Sequence, residues 1–337
     1  HFELLSMKRG LLTFLALFLG YTAYSQQDPQ FTQNMFNRLW ANPAYAGTND
    51  ALCGTIISRQ QWLGFEGRPK TNLLSVDMPI QPFKRIKFDG GVGLSVISDE
   101  LGPLKSTYAK LALSYRRRIS QGVLSVGLDF GVFSQSISPN WITVDRGGIG
   151  NGMEDPSIPD ANTSGATFDL GGGAYYYTND LYVGISSTHL NQPTLKEKLE
   201  KKALEGPGTY EFEQVRHYYL MAGYYYGINT TIGELELQPS LFAKTDAVST
   251  QLDINMNVLW ENFIWLGASL RPGDAVSALT GIKLDRYVPG LKFGLAYDFN
   301  TSELADYNSG TIEVLLNYCY KIPKPVKIQR YKSVRFL

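Results

Sequence analysis

Leu124-Ser125-Val126-Gly127-Leu128-Asp129-Phe130-Gly131-Val132 is the stretch on which the fold turns. Leu124, Val126, Leu128, Phe130 and Val132 are apolar, and the residues between them, Ser125, Gly127, Asp129 and Gly131, are small or polar. A period of two puts each set on its own face of a β-sheet. The pattern recurs in Leu252, Ile254, Met256, Val258 and Trp260, in Leu291, Phe293, Leu295, Tyr297 and Phe299, and in Ile312, Val314, Leu316 and Tyr318. A soluble sandwich would alternate in the same way, so loop lengths have to discriminate.

About fourteen strands can be counted on this pattern, centred near residues 55, 75, 93, 111, 129, 171, 185, 220, 239, 255, 267, 280, 295 and 316. Connections after even strands are mostly short: Ser120-Gln121-Gly122, Thr178-Asn179-Asp180, Glu261-Asn262. Those after odd strands include the long stretches Ser138 to Ser164 and Asn191 to Gln214. Sorting of loops by parity is the mark of a transmembrane antiparallel up-and-down β-barrel, with short periplasmic turns and long extracellular loops. Strands descending to the short-turn side end in Tyr115, Tyr175 to Tyr177, Tyr224 to Tyr226, Trp260, Tyr287, Tyr318 and Tyr320. Rings with polar tips favour the headgroup level, so these residues predict an aromatic girdle. Closure also removes unpaired strand edges, which lipid does not tolerate.

Composition agrees. The chain has 33 Gly, 21 Tyr and 17 Phe, a bias towards strands and turns. Its 31 basic and 31 acidic residues cancel, which argues against a nucleic-acid partner. Lys8 and Arg9, the apolar run Leu11 to Leu19 and the small-residue step Ala23-Tyr24-Ser25 read as a cleaved signal peptide over residues 7–25. Met7 is then the start of translation. The expected organisation continues with an N-terminal periplasmic or plug-like segment (26–49), the outer-membrane barrel (50–321) and a basic periplasmic tail (322–337). The tail carries Lys324, Lys327, Arg330, Lys332 and Arg335 and no acidic residue, so it could meet an acidic partner or lipid headgroups.

Two segments carry a family resemblance. One is Asp28-Pro29-Gln30-Phe31-Thr32-Gln33-Asn34-Met35-Phe36-Asn37 followed by Asn42-Pro43-Ala44-Tyr45-Ala46-Gly47; the other is Arg59-Gln60-Gln61-Trp62-Leu63-Gly64-Phe65-Glu66-Gly67-Arg68-Pro69-Lys70-Thr71. Together they resemble the PorP/SprF outer-membrane proteins of type IX secretion and gliding motility. The resemblance continues through Pro239-Ser240-Leu241 to Arg335-Phe336-Leu337. It implies a non-enzymatic barrel that supports secretion and surface display of a particular cargo protein, often an adhesin. The implied partners are that cargo, periplasmic ring and lipoprotein components, and outer-membrane lipid. A diffusion porin or a transporter of small apolar molecules is the alternative.

Individual residues offer partner-binding candidates: Trp62, Gly64, Phe65, Gly67 and Pro69 at the extracellular rim, and Asn42, Pro43, Tyr45 and Gly47 in the N-terminal segment. The aromatics could anchor a partner or fold inward over the barrel mouth, and the N-terminal segment could be a plug, a docking strip or a lead-in packed under the barrel. Thr194 and Glu197 form a possible capping box, predicting a short helix with Leu195, Leu199 and Ala203 on one face. The acidic, glycine-rich stretch Asp145 to Asp160 lacks regular calcium-loop spacing, and Gly147-Gly148-Ile149-Gly150 lacks the Lys-Ser/Thr of a phosphate loop. His189, close to Ser186 and Ser187, suggests a hydrolase pair, but no nucleophile elbow accompanies it, and His189 and His217 are expected at the rim. No catalytic set, cofactor or metal is expected. Cys53 and Cys319 fall on the first and last strands, near the same end; they could bridge the closing seam or remain two thiols, since register is not legible in sequence.

Overall fold

The computed structural model describes residues 28–80, 89–137, 163–199, 208–231 and 233–322. The signal peptide, the Asp145–Asp160 stretch and the tail beyond residue 322 lie outside them. Long strands open the barrel: β1 (Ala51–Gln60), β2 (Lys70–Ile80), β3 (Gly90–Leu101), β4 (Leu104–Ile119) and β5 (Gly122–Ile137). Then come β6 (Thr163–Tyr177), β7 (Leu181–Thr188), β8 (Thr194–Leu199), β9 (Gly208–Glu213), β10 (His217–Tyr224) and β11 (Tyr226–Thr230). The last six are β12 (Gly233–Thr245), β13 (Thr250–Trp260), β14 (Ile264–Arg271), β15 (Ala275–Lys283), β16 (Leu291–Asn300) and β17 (Thr311–Lys321).

Every neighbouring pair is antiparallel, β17 pairs with β1, and β10 pairs with both β7 and β12, so the sheet closes. β10 and β11 are two halves of one stave interrupted at Tyr225, and β11 continues the pairing along β12. The result is a closed barrel of fourteen staves, with β8 and β9 forming a separate hairpin in the long loop after β7.

The alternation read from sequence becomes two faces. Val126, Leu128, Phe130 and Val132 are exposed on the outside, while Ser125 and Asp129 are buried in the lumen. Outward apolar side chains belong against lipid tails, which is why a surface unsuited to water is stable in the outer membrane. Tyr115, Tyr224, Tyr226, Trp260, Tyr287, Tyr318 and Tyr320 are exposed near the short-turn end, as a girdle requires. Tyr175 and Tyr225 depart from that expectation: Tyr175 is buried inside the lumen, and Tyr225 packs against the same lumenal cluster. Successive strand residues point to opposite faces, so three consecutive tyrosines cannot all meet lipid.

The predicted helix at Thr194 is a strand. Thr194–Leu199 pairs antiparallel with Gly208–Glu213, Leu195 lying opposite Phe212. Leu195 joins the buried cluster of Tyr108 and Phe133, with Phe212 packed against it. Burial of this apolar pair and a full ladder override a weak local helix preference. Ala203 lies outside the described residues.

Candidate functional site

Before entering β1, the chain passes through the barrel. Asp28 and Thr32 lie beside His189, Asp298 and Glu313, all at strand ends next to long loops. Ten residues later, Arg38 meets Tyr175 and Tyr225 at the short-turn end. Residues 28–50 therefore descend the lumen as a plug, formed by short helical turns at Asn34–Phe36, Arg38–Ala41 and Pro43–Tyr45.

The upper half of the plug is held by charge. Arg59 is 2% exposed and reaches Asp298 Oδ2 at 2.8 Å and Glu313 Oε2 at 3.2 Å. The Thr32 hydroxyl accepts from Arg59 and contacts both oxygens of Asp298, while the Thr32 and Gln33 amides donate to Glu313 at 2.8 Å. Asn34 donates to Asp253, which also accepts from Arg271. These five lumenal charges are thus paired with one another or bonded to the plug, the condition on which buried charge is tolerated.

A second upper contact surrounds Asp28. Its Oδ1 is 2.8 Å from His189 Nε2, and its Oδ2 accepts from the Thr188 and Tyr219 hydroxyls at 3.0 and 2.5 Å. The Asp28 amide donates to His217 Nε2 at 3.2 Å, and Lys244 donates to its carbonyl at 2.8 Å. Burial alone would raise the Asp28 carboxyl, but the adjacent imidazoles of His189 and His217 hold it well below the ordinary carboxylate range. Both histidines are fully buried, not rim residues as expected, because plug and loop hairpin cover the positions at which their strands end. The Ser186 hydroxyl donates to the carbonyl of Ala41, not to an imidazole, so it braces the plug.

The lower half is held by shape and by Asn42. Its amide donates to the carbonyls of Ala174 and Ile185 at 3.0 and 3.2 Å, and its Oδ1 accepts from Ala44. The Gly47 amide donates to Asp77, and the Ala44 and Ala46 carbonyls accept from Ser125 and Ser114. A Cβ on Gly127 would lie 2.5 Å from the Ala44 nitrogen, and one on Gly91 would overlap the Ala46 carbonyl. These wall glycines let the plug backbone approach the sheet closely. Arg38 lies 3.8 Å above the Tyr182 ring and donates to Tyr175 and Tyr225 at 3.1 and 2.8 Å. Below the plug remains a cavity of about 220 Å³, lined in part by Arg38, Tyr182, Tyr225, Trp265, Lys283 and Lys292.

The proposed partner-binding residues separate into two places. Asn42 and Pro43 are buried in the lumen, Tyr45 lines the cavity, and Gly47 lies against β2 and β3. At the long-loop rim, Leu63 exchanges backbone hydrogen bonds with the loop before β17, donating to Gly310 and accepting from Ser309 at 2.8 Å each. Pro69 is buried, Gly64 and Gly67 are exposed, and Phe65 is 49% exposed, with Trp62 edge-on to it at 6.5 Å. Cys53 lies directly opposite Cys319 across the β1–β17 seam, and the two are joined as a disulfide.

The sequence matches the family described as type IX secretion system membrane protein PorP/SprF over residues 23–318. This chain belongs to the PorP/SprF family. PorP/SprF proteins are secretion components and not an enzyme family, and this member is an outer-membrane β-barrel. No curated protein matches it by sequence. Among solved structures it is similar to the Acinetobacter baumannii outer membrane protein Omp33 (11% identity, TM-score 0.42, covering 81% of this chain and 99% of that one). It is also similar to the translocator domain of the autotransporter NalP from Neisseria meningitidis (11%, 0.44, 86% and 95%) and to outer membrane phospholipase A from Escherichia coli (11%, 0.35, 80% and 92%).

The N-terminal segment thus takes the first of its three expected forms, a plug. The signal that favours it is the density of small and oppositely charged residues on the lumenal parity. Gly127 and Gly173 make room, and Arg59, Asp253, Arg271, Asp298 and Glu313 pair with one another and leave polar atoms over for a segment among them.

Proposed function

We propose that this PorP/SprF barrel supports type IX secretion and surface display of a particular adhesin-like cargo by binding, not by conducting solutes. The observation that carries this reading is the plug: residues 28–50 fill the lumen and are bonded to the wall at both ends. A barrel filled in this way works through its two rims. On the long-loop side, Phe65 and Trp62 offer an aromatic contact of the kind that anchors protein partners. The cavity beneath the plug faces the side where ring and lipoprotein components would dock.

Deleting the gene and comparing cell-surface and secreted proteomes tests the proposal. Loss of one or a few large surface proteins, with the others unchanged, is the expected result and identifies the cargo. An unchanged proteome together with steady single-channel conductance of the purified barrel would favour the porin reading instead.

A further inference from the structure

We infer that Asp28, His189 and His217 form a buried divalent-metal site, suited to Zn²⁺, which fastens the top of the plug to β7 and β10. Three donors converge: one carboxylate oxygen of Asp28 and one ring nitrogen of each histidine lie within 4.8 Å of one another. Neither imidazole is free to turn. His217 Nδ1 lies 2.9 Å from the Val215 carbonyl, which can only accept, so Nδ1 carries the proton and Nε2 presents a lone pair, met here by the Asp28 amide at 3.2 Å. His189 Nδ1 lies 3.0 Å from Asp169 Oδ2, a carboxylate–histidine contact of the kind that orients metal-ligating imidazoles. With its proton on that side, His189 Nε2 would meet Asp28 Oδ1 at 2.8 Å lone pair against lone pair, an arrangement relieved by a proton or a metal ion between them. The other Asp28 oxygen is held by Thr188 and Tyr219, which aims Oδ1 at the imidazoles.

A proton on His189 would also satisfy that pair; a metal ion would instead draw His217 Nε2 from the Asp28 amide, which it meets at 3.2 Å, the long end of the hydrogen-bond range. A metal ion uses all three donors. Two imidazoles and a carboxylate suit Zn²⁺, whose bonds of about 2.0–2.2 Å require the 2.8 Å contact to open by only about half an ångström. Buried charge favours a cation as well: Asp28, Asp129 and Asp169 are countered locally by Lys110 and Lys244.

The test uses the full barrel purified in detergent, stripped with EDTA, reloaded with Zn²⁺ and washed, with metal measured by mass spectrometry and folding by thermal melting. About one Zn²⁺ per chain should remain bound, and EDTA should lower the melting temperature. His217→Ala should abolish retention. Because that variant could fail to fold, Asp169→Asn provides a second test: it keeps all three ligands and should weaken Zn²⁺ binding roughly 10–100-fold. A folded wild-type barrel that retains no Zn²⁺ and melts identically with and without EDTA overturns the site and leaves a protonated His189–Asp28 pair in its place.

Discussion

Arg59 shows how a single residue joins wall and plug. It rises from β1 into the lumen, pairs with Asp298 on β16 and Glu313 on β17, and bonds the Thr32 hydroxyl. Removing it leaves buried Glu313 without its guanidinium and Asp298 with only Arg271, at 3.8 Å. Breaking a buried pair from one side typically costs about 3–5 kcal/mol, more than the pair itself contributes. Arg59→Ala should therefore lower the unfolding free energy by an amount in that range, read as a lower urea midpoint, and Arg59→Lys should recover only part of it. An ammonium cannot bridge two carboxylates and a hydroxyl with a planar fork. Equal midpoints for Arg59→Ala and wild type would show that water enters the network and that Arg59 does not tie the plug to the wall.

At the scale of elements, the seam between β1 and β17 is held twice. Ten residue pairs, Ala51↔Lys321 to Gln60↔Ile312, run along it, and the Cys53–Cys319 bridge sits among them near the short-turn end. Denatured, unreduced protein should show no reactive thiol and should migrate on a gel differently from the reduced chain. Labelling of both cysteines without reductant would remove the bridge from the seam. The strands themselves were legible, because period-two alternation, turn chemistry and loop parity are local properties of the chain. The register that brings Cys53 opposite Cys319 was not, because it depends on how fourteen staves close. Thr194–Leu199 failed for the same reason: its local pattern suits a helix, and only its pairing with Gly208–Glu213 makes it a strand. His189 and His217 lie at the expected strand ends but are buried, since the plug that helps to cover them is more than 150 residues away in sequence.

Over the whole molecule, the barrel and its plug are separable in principle. The staves close through backbone pairing that involves no residue of the 28–50 segment. The plug is bound to the wall through side chains and through the close approach at Gly91 and Gly127. Deleting residues 28–48 removes the hydrogen bonds to Glu313, Asp77 and the Ala174 carbonyl, and the freed lumenal groups can be hydrated once water fills the space. A deleted chain should still insert as a barrel, less stable than wild type, and in planar bilayers it should conduct where the intact protein is silent. Gly91→Val offers a milder form of the same experiment. Its side chain would displace the Ala46–Gly47 turn, and the expected result is intermittent opening rather than a steady channel. If the folded deletion variant stays non-conducting, the loops and not the plug seal the barrel. The N-terminal segment would then hold the walls together without closing a pore.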